Sequence, residues 1–385
     1  MKVKSLKIRE VLATNSHKTI EVELQTEKGS VRASVPIGTS RGKYEVAYLP
    51  VDEAVLKFGG IKRHFTSEEL SEQKEVDEML RMIDKTPDFK EIGGNLALGI
   101  SSAFLKAFAL ENNQEVFQFL SKKPSMPKPI SIVAGGWKGQ SDIQEFHFLP
   151  VHQNSFFDNI TKIASAYFAV GESLKEHDRS FKFSKIIESG WFTTLHYEKL
   201  LDVLTKIANE KSLKIGLDVA ASEIWDGDAY VYSDGKRLSA TQQIELMENL
   251  ANNYPITYIE DPFNEDDFIS FSTLTHRLQN KTVCGDDIFT TNLKRLNYGI
   301  MHKAANAILI KPNQIGTITD MMKVIEEAKR NRLVTVMSHR SSECDDVLIA
   351  HLAVGLNCDY VKFGISGDRV IKLNEMIRIE EKLAS

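Results

Sequence analysis

Cysteine is scarce in this chain: Cys284, Cys344 and Cys358 are the only three thiols in 385 residues, and their spacing is not paired. That excludes a disulfide-framed module and a cysteine-built zinc site, and it fits a reducing cytoplasm. Long apolar runs are missing too. Nothing approaches the ~20 residues of a membrane span, and the stretch from Met1 to Glu10 lacks the apolar centre of a signal peptide. Nor does one sign of charge dominate. With 48 Lys and Arg against 53 Asp and Glu, the net charge of -5 offers no electrostatic case for nucleic acid or an anionic membrane. The expected partner is a small molecule, and the expected location is the cytoplasm. Proline is sparse except where Pro124, Pro127 and Pro129 crowd together, which no helix interior tolerates. A domain boundary is placed there, dividing the chain into 1–123 and 124–385.

What the second part does contain is one short phrase repeated. An apolar, β-branched run ends in a charged or polar residue, a loop follows, and then a helix-patterned stretch. Ile215-Gly216-Leu217 ends in Asp218, Ile256 to Ile259 in Glu260 and Asp261, and Thr282 to Gly285 in Asp286 and Asp287. Ala307 to Ile310 ends in Lys311, Val334 to Met337 in Ser338, His339 and Arg340, and Tyr360-Val361 in Lys362. After a longer first gap the polar ends recur roughly every 25 residues, near the ~31 expected when eight βα units share ~250 residues. The pattern predicts a β/α barrel, with Ile130–Val133 and Phe146–Val151 as its first strands. Such strands deliver their C-terminal ends to one mouth, so residues remote in sequence converge there.

Ahead of the barrel the pattern predicts a small α+β domain. Ile20, Val22 and Leu24 alternate with Glu21 and Glu23, Gly29 turns the chain, and Val31, Ala33 and Val35 alternate in return, as in a hairpin. Pro36 to Lys43 has the glycine and hydroxyl content of a loop that could close over a ligand, or of a plain surface loop. From Asp52 to Leu120 the pattern is helical. Farther on, Thr317 and Asp320 resemble a capping box opening a helix whose apolar stripe is Ile318, Met321, Met322, Ile325 and Ala328.

The converging residues carry the chemistry. Asp218, Glu260 and Asp286 bring like charges together, which destabilises the site unless a cation joins them. An all-oxygen donor set with neither Cys nor His favours magnesium over zinc. The competing account is that these carboxylates only cap the helices after their strands. Lys311, between four apolar residues and Pro312, is expected to have a lowered pKa through burial and a nearby metal, as suits a general base; a structural ion pair is the competing role. A base beside a divalent ion implies proton abstraction next to a carboxylate.

These same stretches are similar to the enolases. Leu217-Asp218-Val219-Ala220-Ala221-Ser222-Glu223, Ile259-Glu260-Asp261-Pro262-Phe263, Gly285-Asp286-Asp287, Ile310-Lys311-Pro312-Asn313-Gln314-Ile315-Gly316-Thr317 and Ser338-His339-Arg340-Ser341 carry the likeness, with Gly94 to Gly99 and Gln144-Glu145-Phe146 beside them. The resemblance implies a small α+β domain before a modified eight-fold barrel, assembled as a dimer or a larger multiple of dimers. It implies a lyase interconverting 2-phosphoglycerate and phosphoenolpyruvate with two magnesium ions. By similarity Asp218, Glu260 and Asp286 hold the first ion and Ser40 helps hold the second. Lys311 takes the proton from C2, Glu188 and Glu145 serve the departing 3-hydroxyl, Arg340 and Ser341 grip the phosphate, and His339 and Lys362 face the substrate.

The loops depart from the family. Its Gly-Gly-x-His loop reads Gly136-Trp137-Lys138, so the histidine is missing, and its Gly-Asp-Glu-Gly-Gly reads Ile186-Ile187-Glu188-Ser189-Gly190. Its Ser-Gly-Ala-Ser-Thr-Gly has become Ile37-Gly38-Thr39-Ser40-Arg41-Gly42, and its Asp-Ser-Arg-Gly-Asn-Pro-Thr has become Thr14 to Thr19 after Ala13. Three readings stand side by side: a phosphopyruvate hydratase in which Lys138 or Arg41 replaces the lost positive charge, an enzyme that enolises another carboxylic acid, and a binding protein without catalysis.

Overall fold

The computed structural model describes all residues except Ser40, Arg41, Glu68, 137–140, Gln153 and Ser385. Three antiparallel strands, Ser5–Leu12, Lys18–Gln25 and Ser30–Ser34, open the chain in that spatial order. The second and third form the expected hairpin, with Leu24 opposite Val31 and Val22 opposite Ala33. The first strand has weak alternation because one face stays open: Leu6 is buried while Leu12 is 70% exposed. Helix Gly94–Glu111 covers the sheet's apolar face and is buried along nearly its whole length. It approaches closely because Gly99 has no side chain; a Cβ there would lie 3.0 Å from Val22.

Eight further strands close into a barrel. In order round the ring they are Lys128–Gly135, Glu145–Pro150, Leu213–Asp218, Ile256–Glu260, Thr282–Gly285, Ala307–Ile310, Val334–Ser338 and Tyr360–Lys362, and the last pairs with the first. A two-residue strand, Trp191–Phe192, adds to the first. Alternation along each strand sorts the side chains. Ala307 and Leu309 join Ile130, Leu149, Tyr258, Cys284 and Val336 in the barrel interior, while Ile308 and Ile310 pack under the outer helices.

One strand runs against the rest. Glu145–Pro150 is antiparallel to both neighbours, whereas the other main strands pair in parallel. Val151, expected inside this strand, lies beyond its end and is 41% exposed. Helix Ile318–Arg330 starts where the capping pattern predicts, with the Thr317 hydroxyl accepting from Asp320 N at 3.2 Å. Its buried stripe takes Val324 in place of Met322, which is half-buried. The small domain meets the barrel mouth through backbone bonds, from Ile37 N to Ser342 O at 2.8 Å and from Val46 N to Gln314 O at 3.0 Å.

Candidate active site

Strand direction decides which residues reach the mouth. Asp218, Glu260 and Lys362 are the last residues of parallel strands, and Asp286, Lys311 and His339 directly follow theirs. The reversed strand delivers its first residue instead, so Glu145 lies opposite Asp218 in the ladder. Glu188 reaches the same cavity from a loop, and Arg340, Ser341 and Lys362 line it too.

Lys362 ties the acidic residues together. Its Nζ donates to Asp218 Oδ2 at 2.8 Å, to Glu260 Oε1 at 2.8 Å and to Glu145 Oε2 at 2.9 Å, and all four side chains are buried. Burial works against the ammonium, but these carboxylates outweigh it and raise the Lys362 pKa well above its usual value. One lysine does not neutralise them all. Burial, with Glu145 adding to it against the pull of Lys362, raises Asp218, and burial with Asp218 and Asp286 raises Glu260 well above the carboxylate range.

Lys311 is paired. Its Nζ contacts Asp286 Oδ2, while Asp286 Oδ1 accepts from Gln314 Nε2 at 3.1 Å. The sequence reading expected a lowered lysine pKa. Burial does push that way, but the Asp286 carboxylate outweighs it, and the ammonium is held above its ordinary value. The contact is the ion pair that stood as the competing role for this lysine, and a direct carboxylate partner outweighs burial.

Two carboxylates on the other side share one design. Glu145 Oε2 takes His147 Nε2 at 3.0 Å as well as Lys362, and Glu188 Oε2 takes His339 Nε2 at 3.1 Å and Arg369 Nη2 at 3.0 Å. Burial pushes both carboxyls up. Lys362 and His147 for the first, and Arg369 and His339 for the second, hold them below the usual range. Burial lowers His147 and His339 in turn, and each keeps a buried Nδ1 with no hydrogen-bond partner among the described residues.

Arg340 and Ser341 reach toward the loop that follows the hairpin. The Arg340 guanidinium grips Glu45 at both ends, Nη1 to Oε2 and Nη2 to Oε1, each 3.1 Å. It passes so close beneath Gly38 that a Cβ there would lie 1.6 Å from Nη2, so a side chain at position 38 would displace the guanidinium from this place. Ser341 Oγ accepts from Thr39 N at 2.8 Å. Ser40 and Arg41, next along the loop, lie outside the described residues, as does Lys138.

Sequence reasoning missed several members. Asp261 accepts from Asp286 N at 2.9 Å and Asp287 N at 2.8 Å, tying two strand ends together. Asp287 is pushed up to about 8 by burial and by Asp286. The doubled acids Glu260-Asp261 and Asp286-Asp287 were a visible signal for both. Glu45, His147 and Arg369 gave none, since each looks like an ordinary polar residue of a loop or strand.

This arrangement has relatives. Residues 3–120 match the family described as enolase, N-terminal domain, and residues 123–385 match enolase, C-terminal TIM barrel domain. The chain is 36% identical to an enolase of Methanosphaera stadtmanae over 99% of this chain and 97% of that one. It is 37% identical to an enolase of Natronomonas pharaonis over 98% of each chain, and 37% identical to one of Halobacterium salinarum over 99% of each. The chain belongs to the enolase family. Its fold, a small antiparallel-sheet domain before a closed eight-strand barrel, is the enolase one.

The family implies magnesium, and the donor set can be tested against it. Asp218, Glu260 and Asp286 offer only oxygen, the ligand a hard cation takes. Among the described residues at this mouth, the acids whose ligand oxygens lie within 4.8 Å of one another are Asp261, Asp286 and Asp287, which share only Asp286 with the set expected from the sequence. The carboxyls of Asp218 and Glu260 stay raised although an ammonium touches both. The cavity is therefore short of positive charge, and the residues present fit a divalent cation. No described helix is long and apolar enough to cross a membrane.

Proposed function

We propose that this enolase-family chain is a phosphopyruvate hydratase, a lyase that reversibly removes water from 2-phosphoglycerate to give phosphoenolpyruvate, and that residues 124–385 form the catalytic domain capped by 1–123. The observation that carries the reading is that the Lys311 amine and the Glu145 carboxylate face each other across the barrel mouth, with Glu188 lining the same cavity. Lys311 and Glu145 belong to strands four places apart in a ring of eight, which is the opposite wall. Such an arrangement suits elimination across a C2–C3 bond, with a base on one face and a proton donor at the leaving group on the other.

Lys311 takes the C2 proton, the freed electron pair forms the double bond to C3, and the 3-hydroxyl leaves as water with a proton from Glu188, aided by Glu145. The Asp286 carboxylate favours the Lys311 ammonium, so sharing Asp286 with another cation would lower the Lys311 pKa toward that of a base. Glu188 and Glu145 are ionised before substrate arrives. A phosphorylated carboxylate entering beside them raises their affinity for a proton, so proton uptake accompanies binding. Arg340 and Ser341 hold the phosphate, and Lys362 and His339 line the cavity that takes the substrate. Asp218, Glu260 and Asp286 hold one magnesium ion, and by family likeness Ser40 helps hold a second. Magnesium bound there would supply positive charge near the substrate carboxylate. A dimer in the cytoplasm completes the reading.

The test is formation of phosphoenolpyruvate from 2-phosphoglycerate by the purified protein, with magnesium and with chelator. Magnesium-dependent turnover that disappears in Lys311→Ala is the expected result. No turnover at any pH or with any divalent metal would withdraw the proposal.

A further inference from the structure

Glu188 is carried on the loop Ile186-Ile187-Glu188-Ser189-Gly190 rather than on a strand tip, so its direction has to be fixed by something else. Arg369, fully buried in the turn Gly367–Arg369, meets it from behind. Arg369 Nη2 donates to Glu188 Oε2 at 3.0 Å, to Ser341 O at 2.9 Å and to Ile187 O at 3.4 Å, and Nη1 donates to Asp368 Oδ2 at 3.0 Å. His339 Nε2 takes the same Oε2 from another side at 3.1 Å. Oε1 has no hydrogen bond among the described residues, yet it is not a buried unpaired atom, so it opens to the cavity that Glu188 lines.

The two loops are fitted to each other along their length. Ser366 Oγ donates to Ser189 O at 3.0 Å, and Tyr167 OH donates to the same carbonyl at 3.1 Å. Gly367 has φ of 65°, and a Cβ there would lie 2.9 Å from Ser189 Oγ. A side chain at 367 would be strained at this φ and would crowd Ser189, the neighbour of Glu188.

Building on the hydratase reading, we infer that Arg369 is the positioning residue of the leaving-group side, holding Oε2 so that Oε1 of Glu188 alone is aimed at the 3-hydroxyl. Arg369 touches no reacting atom and acts through Glu188. It therefore serves the loss of water and not the removal of the C2 proton, which belongs to Lys311.

That separation supplies the test. Arg369→Gln and Arg369→Lys are assayed as full-length, magnesium-loaded protein for two rates: dehydration of 2-phosphoglycerate, and exchange of its C2 hydrogen with deuterated water. Arg369→Gln is expected to lower kcat for dehydration ~100-fold, the scale of a 1 Å misplacement, with KM within about 3-fold and C2 exchange kept. Arg369→Lys retains the charge and one hydrogen bond and is expected to recover roughly 10-fold of the loss. An unchanged kcat, or dehydration and exchange falling together, would overturn the inference while leaving the hydratase reading intact. If Arg369→Gln does not fold, as its melting curve would reveal, Arg369→Lys decides by the same two rates. Absence of both reactions in the unmodified protein would withdraw the hydratase reading and this inference with it.

Discussion

Replacing Lys362 by methionine tests the charge balance of the site most directly. The side chain keeps its length and apolar stem but loses the ammonium that contacts Asp218, Glu260 and Glu145 at 2.8, 2.8 and 2.9 Å. Each contact at that distance is worth ~6 kcal/mol at an effective dielectric of ~20. Burying four charged groups offsets most of this, and removing one partner of such a cluster leaves a net loss of ~3–5 kcal/mol. The assay is urea unfolding with chelator present, at pH 7.5 and again at pH 5. Without Lys362, His147 at Glu145 and the Tyr258 hydroxyl at Glu260 remain against burial and mutual repulsion, so the folded-state pKa values of the carboxyls rise above the unfolded ones. Groups shifted in that direction cost stability as pH rises above ~4 and cost less as pH falls. The variant should therefore approach the unmodified protein at pH 5. A loss below ~1 kcal/mol, or a loss unchanged between the two pH values, would refute the picture of one ammonium shared by three buried acids.

Further outcomes follow from the same contacts. Lys311→Ala should lower turnover by at least ~10²–10⁴-fold, the usual contribution of a positioned base, and should abolish C2 hydrogen exchange; residual activity within ~10-fold would remove Lys311 from the role. Arg340→Lys cannot reproduce the two-ended grip on Glu45, so KM for 2-phosphoglycerate should rise ~10-fold or more, read from initial rates. Magnesium at ~100 times its dissociation constant should add ~2.7 kcal/mol to unfolding stability, visible in the melting temperature and reversed by chelator. Asp84, fully buried, accepts from the amides of Thr86 at 3.0 Å and of Glu91 and Ile92 at 2.9 Å. Burial pushes its pKa up, but these bonds and the Thr86 hydroxyl hold it below the ordinary value. Its stabilisation is thus complete above the unfolded pKa of ~3.9 and is lost as pH falls through the lower folded value. Asp84→Asn should cost ~1–3 kcal/mol at pH 7, with the gap closing below about pH 4.

The barrel was legible because its strands obey a local rule. Ala307 to Ile310 is apolar on both faces, one face filling the interior and the other lying under helices, and the first charge after it must be at the mouth. That rule brings Asp218, Asp286, Lys311 and Lys362 to one cavity, with Glu260 fully buried against Lys362. It could not give a strand's direction, since alternation reads the same both ways. Hence the reversal of Glu145–Pro150, which puts Glu145 at the mouth as the first residue of its strand, comes only from the ladder. Partners supplied from afar were also hidden. Glu45 meets Arg340 across 295 positions and Arg369 meets Glu188 across 181, and neither has a local pattern that separates it from a solvated surface charge.

The same limit explains why the pKa expected for Lys311 had the opposite sign. Burial is a local property that an apolar run announces, whereas the ion pair with Asp286 joins the ends of two strands 25 positions apart. In this cavity every buried cation has an anion and most anions have a cation, so each group's protonation belongs to the set. Removing or adding one charge at the mouth must therefore shift the others, and substrate, which brings both a phosphate and a carboxylate, is the largest such addition. Proton uptake on binding, followed as a change in a weakly buffered indicator, is accordingly expected to fall in Glu188→Gln and again in Glu145→Gln. Uptake unchanged in both variants would mean that the two carboxyls across from Lys311 do not take up the proton that the departing water needs.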